Sequence, residues 1–383
     1  MFVSHLRLQN WRNFLVVDTK LTERVFLVGP NACGKSNFLD VFRFLRDITS
    51  PGGGLQKAAN DRGGLSKIRC LAARGDPYVL IDIELRPTAP NERRWRYSLK
   101  IGREPRGFRR TIVKEERVWK DGKLIDDRPD SNDIKDVERL IQTHLEQINS
   151  NQAFRPIARY LESVSYLHLV PQLVRNPEAF AGPGIQSGDP FGRNFLERVA
   201  RTPKATRLSR LRKIEHALQI TVPQLRNLSD VIDESGIPHL EAVYEHWRPH
   251  AGKQREDQFS DGTLRLMGLL WALLESDPLL LLEEPELSLN AGVVKHLPSL
   301  MYRLQKQQKK QIMLSTHSCD LLTDPGIGPE EVLVMSPNEE GTQVTQASSI
   351  REINDLLQGG LTIADAVQPR MVPKNVRQLQ LFQ

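Results

Sequence analysis

Cysteine is scarce in this chain. Cys33, Cys70 and Cys319 stand far apart and no C-x-x-C pair occurs, which excludes a zinc knuckle or hook and argues against a disulfide framework. No stretch approaches the roughly 18 consecutive apolar residues that span a bilayer. The opening residues Met1-Phe2-Val3-Ser4-His5-Leu6 lack a signal-peptide pattern, so a cytoplasmic location with no membrane partner is expected. No heptad run persists for three or four repeats, which excludes a long coiled coil. There is no H-E-x-x-H, no Cys/His metal cluster and no nuclease constellation. What remains suits a globular chain: 26% charged and 39% hydrophobic residues over 383 positions, enough for two or three lobes. A net charge of +6 and a pI near 9.2 permit nucleic-acid contact; a solvated basic surface is the alternative.

The densest signal is Leu27-Val28-Gly29-Pro30-Asn31-Ala32-Cys33-Gly34-Lys35-Ser36-Asn37, a G-x-x-x-x-G-K-S phosphate loop. Its glycines allow the backbone to turn so that the N–H groups of Asn31 to Asn37 face phosphate oxygens. Lys35 supplies charge for the β and γ phosphates, and Ser36 a hydroxyl for Mg²⁺ at a helix start. Arg24 to Val28 reads as a buried strand and Ser36 to Leu45 as an apolar helix, the flanks such a loop requires. ATP and Mg²⁺ are therefore the expected cofactors.

Before the loop, Met1 to Leu8 alternates as a strand, Gln9-Asn10-Trp11-Arg12-Asn13-Phe14 turns, and Leu15 to Val17 forms a second strand. This opening resembles the ATPase heads of the RecF and SMC type. The resemblance makes Arg12 a nucleotide contact; an ordinary surface arginine is the alternative. Thr49 to Gly64 reads as a glycine-rich loop; the resemblance makes Arg62 and Lys67 candidates for nucleotide or DNA contact, and a surface loop without such a role is the favoured alternative. Residues 78–125 read as an antiparallel meander. Its Asp82 and Glu84 mimic a metal pair but are expected on an exposed strand face. Asn132 to Asn149 and Ala153 to Leu161 read as helices. Ser163 to Val170 reads as a strand ending in Pro171-Gln172; by the same resemblance Gln172 is a candidate Q-loop glutamine sensing Mg²⁺ and the γ-phosphate, and a plain loop glutamine is the alternative. Asn176 to Gly192 is rich in proline and glycine. Asn194–Arg201 and Arg207–Leu218 are basic helices, with Arg207, Arg210, Arg212 and Lys213 either a solvated face or a phosphate-backbone contact.

Strands at Leu228–Ile232 and Leu240–Tyr244 precede Ser260-Asp261-Gly262-Thr263, which resembles the ABC signature. Ser260 caps the following apolar helix, and Gly262 lets phosphate approach the backbone. Pro278 to Leu282 then runs as a buried strand into Glu283-Glu284-Pro285-Glu286, a Walker B pattern. Glu283 is the expected Mg²⁺ residue, and Glu284 the residue that orients or deprotonates the attacking water. Asn290 holds the D-loop position. The strand Gln311–Ser315 leads to His317, the switch histidine of ABC heads. Strands at Glu331–Met335 and Gln343–Gln346, a helix over Ile350–Leu357 and a basic tail complete the chain.

Four motifs in this order resemble an ABC-type ATPase of the RecF/SMC-like group, closest to the compact AAA-type ATPases of OLD and Septu-type defence. The resemblance implies an α/β P-loop head with an antiparallel β lobe, a helical insertion and no long coiled coil. The expected divisions are 1–175, 176–255, 256–350 and 351–383. It also implies a composite site in which Ser260, Asp261, Gly262 and Thr263 of one copy face the P-loop of another, so ATP joins heads into a homodimer or higher oligomer. Three functions compete: a DNA-linked or defence switch, a transporter subunit, and an assembly scaffold that hydrolyses little. The N-W-R-N-F turn and the E-E-P-E motif disfavour the transporter. With 66 residues after His317 in this sequence, an appended TOPRIM nuclease is not expected. A separate effector, a nuclease, is the expected output, with DNA contact as an added expectation.

Overall fold

The computed structural model describes residues 1–75, 77–89, 92–105, 107–176, 191–245 and 252–372. The chain opens with strands β1 (Phe2–Trp11), β2 (Phe14–Lys20) and β3 (Arg24–Val28), helix α1 (Lys35–Thr49) and short helices α2 (Leu55–Asn60) and α3 (Leu65–Ile68). Strands β4 (Val79–Arg86), β5 (Trp95–Arg103), β6 (Thr111–Lys120) and β7 (Lys123–Arg128) follow, then α4 (Ser131–Lys135) and α5 (Arg155–Glu162). Next come β8 (Ser165–Leu167), α6 (Pro171–Arg175), α7 (Phe195–Arg201), α8 (Lys204–Leu218), β9 (Leu225–Ile232), β10 (Pro238–Tyr244) and β11 (Lys253–Arg255). The last third holds α9 (Asp261–Leu274), β12 (Leu279–Glu283), α10 (Ala291–Val294), α11 (Leu297–Gln308), β13 (Gln311–Ser315) and α12 (Cys319–Leu322). It ends with β14 (Val332–Asn338), β15 (Gly341–Gln346), α13 (Arg351–Gln358) and α14 (Ile363–Met371).

Two compact units divide these elements. The first takes Met1–Val164, Asp277–Leu281 and Lys309–Gln383; the second takes Ser165–Ser276 and Leu282–Gln308. In the first unit one sheet is antiparallel throughout, in the order β2-β1-β4-β5-β6-β7. The other runs β15-β14-β3-β13-β12, and β3 pairs in parallel with both β13 and β14. Every residue of β3 and β13 is buried, as expected of strands covered on both faces. Helix α1 buries Phe38, Leu39, Val41, Phe42, Phe44, Leu45 and Ile48. Trp11 meets Phe44 at 5.3 Å between ring centres and Phe14 meets Phe38 at 6.3 Å. Each such large side chain contributes roughly 1.5–3 kcal/mol on burial, which fixes α1, and with it the loop at its N-terminus. The second unit packs around α9, buried along Leu264 to Leu274, with Phe195 edge-on to Trp271 at 6.4 Å. Its three-stranded sheet runs β11-β10-β9.

Several expectations are corrected. Thr49 to Gly64 is not a bare loop but contains α2, tethered where Glu146 accepts the Leu55 N–H at 2.6 Å and Gln56 donates to Thr111 O and Ile141 O. The segment 132–149 is not one helix. Arg128, fully buried, draws in the carbonyls of Arg139 and Gln142, and Glu116 accepts the N–H groups of His144 and Leu145. These bonds take backbone groups a helix would need, so α4 stops after one turn and Ile134, Val137 and Ile148 face solvent. The expected strand Ser163–Val170 shrinks to β8, and Gln172 stands in the first turn of α6 rather than in a loop. Asp82 is not exposed: it is buried and paired with Arg96 at 2.8 Å. Within α8, Arg207 pairs with Asp230 at 2.9 Å and Arg210 lies over the Trp271 ring, which leaves Arg212 and Lys213 exposed. Helix α14 was not expected, although its Thr362–Asp365 capping box is legible in the sequence. Most of the Pro/Gly-rich piece, and Lys374 and Arg377 of the tail, lie outside the described residues. Among the described residues the longest helices are α1 and α8, 15 residues each, too short for a coiled-coil arm.

Candidate functional site

In the first unit β3 delivers the chain into the loop Gly29–Gly34. Gly34 adopts φ 99°, and a Cβ there would come within 2.1 Å of the Asn13 amide nitrogen; glycine is required on both counts. Lys35 is 6% exposed, and its Nζ donates to Gly29 O at 3.0 Å and Pro30 O at 3.1 Å. Cys33 Sγ lies 3.9 Å from the same ammonium. Burial raises the Cys33 thiol despite Lys35, which disfavours the thiolate. Helix α1 starts at a glycine cap with no side-chain acceptor and no acidic residue in its first turn. Its N-terminus carries the positive end of the helix dipole, and Asn31, Ala32 and Ser36 beside it are exposed. This set fits a polyphosphate: an anion-seeking helix end, a buried lysine and a hydroxyl at the mouth. His317 follows β13, where Thr316 N–H donates to Leu27 O at 3.1 Å. The histidine therefore leaves the sheet beside the end of the strand that launches the P-loop. Ser318 caps α12 immediately after it.

Arg12 is not gathered into this group. It sits at φ 54° and pairs with Asp40 at 3.1 Å. Arg62 is likewise taken up, bonded to Asp40 at 2.8 Å and Asp47 at 3.0 Å and stacked on Phe44. The neighbour Asn13, which the sequence reading passed over, reaches the P-loop with its side chain. It donates to Cys33 O at 2.9 Å and accepts from Asn37 Nδ2 at 2.8 Å. The signal was present in the repeated asparagine of N-W-R-N-F.

In the second unit the signature and the acidic motif are each built locally. Ser260 caps α9, accepting the Thr263 N–H at 3.2 Å, and its Oγ lies 2.8 Å from Thr263 Oγ1. A Cβ on Gly262 would approach Ser288 O to 2.7 Å, so the signature packs against the turn after the acids. Asp261 is held from α6: Arg175 reaches it at 2.6 Å and also donates to Phe259 O at 2.6 Å, and Gln172 donates to its second oxygen at 3.2 Å. The sequence reading missed Arg175, and it assigned Gln172 to metal whereas here its amide serves Asp261. Glu283 ends β12; its carboxylate accepts the Tyr166 hydroxyl, and its carbonyl faces His168 Nδ1 at 3.2 Å. Glu284 takes a left-handed backbone, φ 44°, rare outside glycine and asparagine. Burial lowers the Arg265 guanidinium, opposed by Asp261 and Glu284 nearby. Asn290 caps α10.

This is the architecture of a P-loop ATPase head. The family described as "AAA domain, putative AbiEii toxin, Type IV TA system" matches residues 24–324, and the chain belongs to it. Three of the solved structures that share the fold, all at low identity, are Smc heads. One is an Smc head bound to the C-winged helix domain of ScpA, 13% identical over 90% of this chain and 98% of that one, TM-score 0.52. Another is the Smc head with an extended coiled coil bound to the C-terminal domain of ScpA from Pyrococcus furiosus, 13% identical over 93% and 99%, TM-score 0.50. The third is the Smc head with a coiled coil and joint from Pyrococcus yayanosii, 12% identical over 94% and 100%, TM-score 0.50. No curated protein matches the chain. Among the described residues no helix is long and apolar enough to cross a membrane.

Proposed function

We propose that this chain binds and hydrolyses ATP, and that ATP-dependent pairing of two such heads controls a partner effector, a nuclease, or DNA processing in anti-phage defence. The observation that carries the nucleotide reading is the Lys35 ammonium over the P-loop carbonyls at the uncapped start of α1. In this reading the N–H groups of Asn31 to Asn37 and Lys35 hold the β and γ phosphates. Ser36 and Glu283 would hold Mg²⁺, which when bound offsets phosphate charge. Glu284 orients the attacking water and accepts its proton, and His317 donates to the γ-phosphate. Gln172 would contribute at the metal only after leaving Asp261. Ser260, Asp261, Gly262 and Thr263 close the site of a second copy. The family's description, with its toxin and toxin–antitoxin terms, supports a role in defence. The ScpA domains bound to two of the similar heads support action through another protein. The test is calorimetry of Mg-ATP with wild type and Lys35→Ala. Loss of binding in the variant, with an unchanged melting temperature, is expected; unchanged affinity would overturn the assignment.

A further inference from the structure

Asn13 lies between an arginine turned away from the P-loop and a buried phenylalanine. Positive φ angles at Asn10 and Arg12, 58° and 54°, swing the turn so that the Asn13 side chain falls across the loop. Its amide is fully used. Nδ2 donates to Cys33 O at 2.9 Å and to Thr342 Oγ1 at 2.8 Å, and Oδ1 accepts from Asn37 Nδ2 at 2.8 Å. Its backbone carbonyl accepts the Thr342 N–H at 2.8 Å. The packing leaves no slack: a Cβ on Gly34 would overlap the amide, and one on Gly341 would come 2.4 Å from Asn13 O. Asn37 is fixed from the other side, where Trp11 Nε1 donates to its carbonyl at 2.8 Å.

One side chain therefore joins the last turn of the P-loop, the first turn of α1 and the start of β15. We infer that Asn13 is a positioning residue for nucleotide: through Cys33 and Asn37 it holds the loop in its phosphate-binding shape, and Thr342 anchors it. The inference rests on the ATP reading above. Both donors and the acceptor are needed at once, which an amide supplies and a carboxylate does not. Aspartate would set an acceptor oxygen against Cys33 O and add negative charge beside a phosphate site.

The experiment measures Mg-ATP dissociation constant and stoichiometry by calorimetry for wild type, Asn13→Asp, Thr342→Val and Lys35→Ala. Asn13→Asp is expected to weaken binding about tenfold or more at unchanged stoichiometry. Thr342→Val, which keeps the Cys33 bond, is expected to weaken it about threefold. A merely structural role would instead lower the stoichiometry and leave the dissociation constant alone, and that result would overturn the inference. If Asn13→Asp does not fold, Thr342→Val decides in the same terms. Wild-type binding lost in Lys35→Ala but intact in the folded Asn13 and Thr342 variants overturns this inference and spares the nucleotide reading. A wild type that binds no ATP overturns both.

Discussion

Asp40 shows how much the neighbourhood of one carboxylate decides. It is 8% exposed and meets Arg62 at 2.8 Å, Arg12 at 3.1 Å and Arg43 at 3.8 Å. Burial alone would raise its carboxyl, but Arg62, Arg43 and Arg12 hold it below the usual range. Its contribution to stability is therefore present above the ordinary carboxyl range and is lost as the pH falls through the depressed value. Asp40→Asn would leave Arg62, itself nearly buried, with Asp47 alone. Breaking a buried pair on one side costs about 3–5 kcal/mol. A drop of about that size is expected in urea denaturation; a change below about 1 kcal/mol would mean the cluster behaves as solvated surface charge. The same cluster explains a limit of the sequence reading. The resemblance to related heads makes Arg12 a candidate nucleotide contact and Arg62 a candidate nucleotide or DNA contact. The residue that occupies them is on α1, and nothing in sequence spacing shows that Asp40 faces both.

Elements defined by burial on all sides were legible. The Arg24–Val28 strand, the leucine run of β12, β13 and the apolar α9 all stand where their patterns put them, and Ser260 caps α9 as read. The four-strand meander was legible too, because alternation marks a sheet with one wet face. Elements whose backbone is claimed by distant side chains were not. Gln56 and Glu146 order α2 inside a glycine-rich stretch, and Arg128 with Glu116 breaks the helix expected after Asn132. Glu146 gives this a pH signature. Burial, with the charge of Glu116, pushes its carboxyl up to about 7, although Leu55 and Thr143 N–H groups donate to it. With the folded value above the unfolded one, the native state binds the extra proton. Its stabilising contribution is full below about pH 4.5 and is lost as the pH rises through 7. Glu146→Gln carries no such loss. The stability difference, wild type minus variant, should therefore shrink by about 1–3 kcal/mol between pH 5 and 8. Thermal melts across that range check it; a constant difference would refute the protonation argument.

At the scale of the whole molecule, the order of P-loop, signature, acidic strand and histidine carried the class of fold. Biological role did not follow, because the same order serves heads with different partners. Pairing of heads is testable directly. Glu284→Gln keeps the side chain's shape and removes the proposed base, so bound ATP should persist and the variant should sediment as a dimer or larger species only with ATP. Adding Ser260→Arg should return it to monomer. Sedimentation showing monomer throughout would refute a shared site. The partition of the chain has a different consequence. The polypeptide passes from one unit to the other at Val164–Ser165, Ser276–Asp277, Leu281–Leu282 and Gln308–Lys309, and one of these junctions falls inside the leucine strand β12. No single crossover in the gene can therefore trade one unit for a foreign copy and keep the other whole. Exchange of one unit for a foreign copy would need a break at each of the four junctions.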